Sequence, residues 1–227
     1  MLIALLAACT AVQDTHSEQH AAASIQTLVV DIENGNFDYS ARPGDFDIAL
    51  ESSGWGRDLE KATAREEGNS WAIDNNGRTL RVVAESATGG RVDADVYGPS
   101  DIFTKLHLDS GDVNLRGLAG YQVVLADDIY GDDLIGGGEF LGDTVNLDIE
   151  PNPGDTLLID ARDVTLDLPP GRYDLSVWAE PESIIEIEDF GFHRTALGEG
   201  SFSGISGDGA VRIDIFATGN VTIRETW

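Results

Sequence analysis

Short runs of alternating apolar residues, each stopped by Gly, Asn, Asp or Pro, set the limits on what this chain can fold into. Leu28, Val30 and Ile32 alternate, as do Phe46, Ile48 and Leu50, then Leu80, Val82 and Ala84, then Val92, Ala94 and Val96. The pattern resumes at Val145, Leu147 and Ile149, at Val164, Leu166 and Leu168, at Leu175, Val177 and Ala179, and at Val211, Ile213 and Ile215. A period of two places every second side chain on one face of a strand, so each run predicts a strand with one buried face. The stops "ENGN" (33–36), "DNNG" (74–77), "PNPGD" (151–155) and "PPGR" (169–172) carry residues that accept positive φ or preset a turn. The best helical stretch, "GRDLEKATAREEGN" (56–69), has poor apolar spacing and reads as a loop or a single helical turn.

The runs also repeat weakly. "DSGDVNLRG" (109–117) is echoed by "ARDVTLDLPPG" (161–171) and "ATGNVTIRE" (217–225), each a turn pair followed by Val-x-Leu or Val-x-Ile. Repeated short strands with Gly, Asp and Asn corners predict a single all-β domain, a β-solenoid or β-roll, with a β-sandwich as the alternative. In a coil each rung covers the open edge of its neighbour.

The N-terminus reads differently. Residues 2–8 are an apolar run too short to span a bilayer, ending in small residues before the sole cysteine, Cys9. "LAAC" (6–9) resembles a bacterial lipobox, which implies cleavage before Cys9 and acylation of its sulfur. Residue 10 is Thr rather than Asp, which by the same resemblance implies outer-membrane sorting. The run lacks a preceding Lys or Arg, so the true start is expected upstream. Residues 1–8 are read as signal peptide, 9–24 as a flexible lipid-anchored tether and 25–227 as the domain. His16 and His20, inside the tether, are expected to be inert.

With 41 Asp and Glu against 14 Lys and Arg, the formal net charge is −27. Nucleic-acid backbones and anionic lipid would be repelled, since both need clustered Lys and Arg. Paired carboxylates such as Asp109 and Asp112 invite an acid–base reading, as in a polysaccharide-active right-handed β-helix enzyme. Asp in β-turns is the reading preferred for them, through side-chain bonds to backbone N–H groups, since Lys105, Arg116 and Arg162 are scattered and form no basic–acidic cluster. The stretch 126–143, too acidic and Gly-rich for a regular rung, offers Asp127, Asp128, Asp132, Asp133 and Asp143 as oxygen ligands for Ca2+ in a metal-stabilised module. His107 should point outward and His193 should lie in a loop. No nucleophile elbow, phosphate loop, dinucleotide fingerprint or zinc set is present. The reading is therefore no catalytic residue and no required cofactor. Trp55, Trp71, Trp178, Trp227, Tyr97, Tyr121, Tyr130 and Tyr173 are expected to plug the ends of the core, with Trp227 over the last rung.

"VDADVYGPSDIFTKLHLDSGDVNLRGLAG" (92–120) resembles the putative-adhesin family of bacterial envelope proteins, the domain of unknown function 4097-like group. "VVDIENGNFDYSARPGDFDIAL" (29–50) resembles its opening hairpin and "DGAVRIDIFATGNVTIRE" (208–225) its closing rung. The resemblance implies an all-β, solenoid-like envelope domain of mostly unknown biochemical role. Taken with the lipobox and the lack of catalytic motifs, the chain reads as a non-enzymatic envelope protein, held to the membrane by its lipid and meeting an envelope protein or glycan.

Overall fold

In the computed structural model the described residues are 10–226, except 189 and 199 and the side chains of 193–198. Nearly everything is strand. The chain runs β1 (Thr10–His20), β2 (Thr27–Ile32), β3 (Phe37–Ala41) and β4 (Phe46–Gly56), then one helix, α1 (Leu59–Glu66). β5 (Ser70–Asn75), β6 (Thr79–Glu85), β7 (Gly90–Gly98), β8 (Phe103–Leu108), β9 (Asp112–Arg116), β10 (Gln122–Leu125) and β11 (Asp128–Ile135) follow. Two long strands, β12 (Gly138–Glu150) and β13 (Thr156–Leu168), lead to β14 (Tyr173–Ala179), β15 (Ile185–Ile187), β16 (Phe192–Gly198), β17 (Ser201–Ser206), β18 (Val211–Ala217) and β19 (Val221–Glu225).

Two mostly parallel ladders organise them. The first reads β5–β6–β2–β8–β10–β12–β13–β18–β14–β17–β16. The second reads β1–β4–β7–β3–β9–β11–β12–β13–β19–β15. The first halves of β12 and β13 belong to the first ladder and their second halves to the second, so all the strands form one large, nearly closed, barrel-like sheet. Antiparallel strands occur only at the two ends, where β1, β4 and β5 finish one and β16 and β17 the other.

Each rung is one strand from each ladder joined by a tight corner. The inward side chains of both ladders form a single core in which Val30, Phe37, Val113, Val145, Leu166 and Ile223 are essentially inaccessible. The sequence repeat is thereby explained. Val113, Ile129, Val145, Val164 and Val221 stack in register from rung to rung, as do Leu147, Leu166 and Ile223, with Gly131 standing between Leu147 and Leu115. The apolar positions recur because each fills the same slot one strand spacing, about 4.8 Å, further along.

Rung order departs from chain order at both ends. β6–β7 lies outside β2–β3, although β2–β3 comes first in the chain. The final pair, β18–β19, is inserted between β13 and the earlier β14–β15.

Side chains hold the corners together. The Asp93 carboxylate accepts from Asn36 N at 2.6 Å, and the Asn36 side chain accepts from Asp112 N at 2.9 Å. Asp127 accepts from Gly111 N, Asp163 from Asn220 N, and Asn220 from Ile184 N. Each tie closes a backbone donor that the bend leaves without a ladder partner.

Several expectations change. Residues 10–20, read as a tether, are a strand paired along its whole length with β4. An end strand needs only backbone pairing, so its polar sequence carries no burial signal. Residues 59–66 form a full helix rather than a turn. Asp58 caps it by accepting from Lys61 N at 2.9 Å, and Ala62 is its buried contact. Residues 126–143 join the rungs through β11 and the start of β12, with an irregularity between Gly131 and Leu134. The backbone of His193 lies in β16, not in a loop. Cys9 and Trp227 fall outside the described residues.

Candidate functional site

The sheet turns one face of its strands to the core and displays the other, so its outward surfaces are where chemistry can occur. The two ladders display different chemistry. On the second, successive rungs present Asp38, Asn114, Tyr130, Asn146 and Thr165 in one row. The neighbouring row carries Ser40, Arg116 and Asp132, then Asp148, Asp167 and Arg224 beyond the bulge in β11. Between these rows lies a groove of about 450 Å³.

The bulge shapes the acidic end of the groove. The register slips between Gly131 and Leu134, leaving Asp133 as an extra residue with φ of 54°, a conformation Asp tolerates better than most residues. Asp132 and Asp133 therefore no longer alternate across the sheet. One carboxylate oxygen from each of Asp132, Asp133 and Asp148 lies within 4.8 Å of the others. Arg116 approaches Asp132 at 3.1 Å from the other side. Partial burial, then Asp133, Asp167 and Asp132, raises the pKa of Asp148. Burial and Asp95 raise that of Asp38. Further along, burial with Asp128 and Asp127 raises that of Asp112, whose carboxylate also accepts from Asp128 N.

Of the five sequence-predicted calcium ligands, the structure brings together Asp132 and Asp133 and adds Asp148. Asp127 instead accepts from Gly111 N and Ser110 Oγ at a corner. Asp143 faces Arg162 at 3.6 Å, and Asp128 stands beside Asp112. Asp148 was missed because its nearness depends on the pairing of β11 with β12. The signal available in sequence was its outward position in the Val145–Leu147–Ile149 alternation.

The first ladder's outward face is richer in apolar groups. Phe103 and Tyr121 stack across adjacent rungs, centroids 6.2 Å apart and planes 10° from parallel. Trp178 and Phe216 stack more tightly, at 4.8 Å and 8°. All four rings are more than a third exposed, as is Leu125 on the same face. The expectation that the aromatics plug the core therefore fails for Trp55, Trp178, Tyr97, Tyr121 and Tyr130, which are exposed. Trp71 is only partly buried. Tyr173 is buried as expected, and the unmentioned Tyr39 joins it. Each donates its hydroxyl to a proline carbonyl, Tyr39 to Pro99 and Tyr173 to Pro169.

His16, His20 and His107 each lie against a carboxylate. His107 faces outward, 3.3 Å from Asp31 and 3.1 Å from Asp109. His16 and His20 flank Glu18 on one face of β1, at 2.8 and 3.2 Å. The His16 bond holds the Glu18 carboxyl below its usual range.

These features define a class: an all-β stack of parallel rungs, with an acidic groove on one face and stacked aromatics on the other. No family model and no curated protein matches the chain. Among solved structures it is similar to a putative cell adhesion protein from Clostridium sporogenes, at 12% identity and a TM-score of 0.41, covering 94% of this chain and 100% of that one. It is also similar to a putative adhesin from Bacteroides fragilis, at 11% identity and a TM-score of 0.34, over 93% and 97% of the two chains. A putative lipid binding protein from Parabacteroides distasonis gives 9% identity and a TM-score of 0.27, over 93% and 97%. Among the described residues no helix is long and apolar enough to cross a membrane.

Proposed function

We propose that this chain is an exported, non-enzymatic cell-envelope protein whose adhesin-like β-solenoid domain engages an envelope glycan or protein. In this reading Cys9 carries the lipid that holds the domain to the bacterial outer membrane. The observation that supports it most is the pair of exposed aromatic stacks, Phe103–Tyr121 and Trp178–Phe216. Exposed rings in fixed geometry offer contact area at little cost in conformational entropy, the usual property of recognition anchors. The net charge of −27 favours a neutral or cationic partner.

Retention on purified cell-wall sacculi tests the proposal. Replacing Trp178 and Phe216 together by Ala should reduce retention about tenfold, corresponding to about 1.4 kcal/mol. Undiminished retention by this variant and by the matching Phe103 and Tyr121 variant would refute the role of the aromatic face. For the anchor, Cys9→Ser should abolish fatty-acid labelling in cells, and persistent labelling would refute it.

The convergence of Asp132, Asp133 and Asp148 favours a second reading, a Ca2+-stabilised module. Melting at a higher temperature in calcium than in chelator would support it, and equal melting temperatures would dispose of it.

A further inference from the structure

The corner where the described chain begins has a character unlike the rest of the surface. Thr10 pairs with Gly56 and Ala11 with Trp55, so the described chain begins beside the β4–α1 junction, and residue 9 is bonded to a residue at that corner. The preceding residues are the apolar run 2–8 and Cys9. At the junction Trp55 is 38% exposed, and Leu59, at 63%, is the most exposed large apolar side chain among the described residues. Between and beside them Arg57 and Lys61 balance Asp58 and Glu60, so residues 55–61 sum to zero charge in a chain of net charge −27.

The corner is also rigid. Asp58 caps α1, and Arg65 donates from its guanidinium to the carbonyl of Trp55. The helix lies so close to β4 that a Cβ on Gly54 would come within 2.4 Å of the Ala62 carbonyl oxygen. Trp55 and Leu59 are therefore held outward by the fold.

We infer that this corner docks on a lipid surface, with the Trp55 indole and the Leu59 side chain in the interfacial layer and Arg57 and Lys61 at the headgroups. Trp suits that layer because its ring is apolar and its N–H is polar. Local neutrality removes the repulsion that the rest of the chain would meet at an anionic headgroup. The apolar group entering at residue 9 adds a second membrane signal at the same place, and paired signals are what make membrane attachment lasting. Docked this way, the rungs stack away from the bilayer and leave both outward faces open. The inference rests on the anchored reading of Cys9, but it can be tested apart from it.

Cys9 is the sole cysteine, so the full chain can be coupled through it to maleimide-bearing lipids in phosphatidylcholine vesicles. Brominated acyl chains then report which tryptophans enter the bilayer. Quenching should be present, should fall by more than half on Trp55→Phe, and should weaken on Leu59→Glu, with unchanged circular dichroism in both variants. Absence of quenching, or quenching indifferent to Trp55→Phe, would overturn the inference. Concentration-dependent shielding of Trp55 without vesicles would assign the corner to a second copy and overturn it as well. Because the coupling supplies the anchor chemically, a failure of acylation in cells would leave this result standing.

Discussion

Two glycines separate the strain of a backbone conformation from the crowding of a rung corner. Gly44 and Gly111 have nearly the same φ, 123° and 132°, in a region that L side chains rarely adopt. A Cβ on Gly44 would meet nothing within 4 Å, whereas one on Gly111 would lie 1.8 Å from the Gly35 carbonyl oxygen. Gly44→Ala should therefore cost the conformational term alone, about 1–3 kcal/mol. Gly111→Ala carries the same term and must also move the neighbouring rung. Ordinary contact begins at 3.4 Å, so the gap to be opened is 3.4 − 1.8 = 1.6 Å. That displacement breaks the two bonds that span the gap, Gly35 N to Ser110 O (3.0 Å) and Asp112 N to Asn36 (2.9 Å). At about 1 kcal/mol each, these add about 2 kcal/mol. The second variant should then lose about 3–5 kcal/mol, a large part of a typical domain's stability. Urea unfolding followed by circular dichroism measures both. Equal losses in the two variants would refute the close-packed corner, as would a smaller loss at Gly111.

Asp148→Asn should raise the melting temperature at neutral pH. The folded state raises the Asp148 pKa, so between the unfolded value and the folded one the native state holds more protons. Its ionisation therefore lowers stability as pH rises through that window, and the Asn variant should flatten this part of a stability–pH curve. Asp58→Ala should lower the denaturation midpoint in chemical unfolding, because the Lys61 amide at the start of α1 is left without its cap, and an unchanged midpoint would refute the capping role. Thr104→Val should be stabilising by about 1 kcal/mol in the same assay. The Thr104 hydroxyl oxygen is buried without a hydrogen-bond partner, so an isosteric apolar group removes a desolvation penalty. A loss of stability would show that the hydroxyl is satisfied in solution.

The sequence patterns carried the strands well and the order of the rungs poorly. Val113, Val164 and Val221 were recognisable as equivalent because successive parallel strands reuse one slot, and the structure stacks them in one column. Nothing local distinguishes the partners of β2 from those of β14, since every rung has the same alternation and pairing is set by the closing of distant loops. β1 was missed because its residues need no core. The helix was legible in principle, from Asp58 followed by the strong helix formers of "LEKATARE". The acidic groove was half legible. Asp132 and Asp133 are neighbours in the chain, but Asp148 reaches them only through a bulge that no alternation predicts.

The insertion of β18–β19 between β13 and β14–β15 makes strands that come late in the sequence an interior part of the architecture. A chain cut short near residue 207 would lack a middle layer, and the strands already made would have no proper neighbour to rest against. During synthesis the stack stays open until residues 211–225 arrive, so the layer that joins its two parts is laid down after both of them.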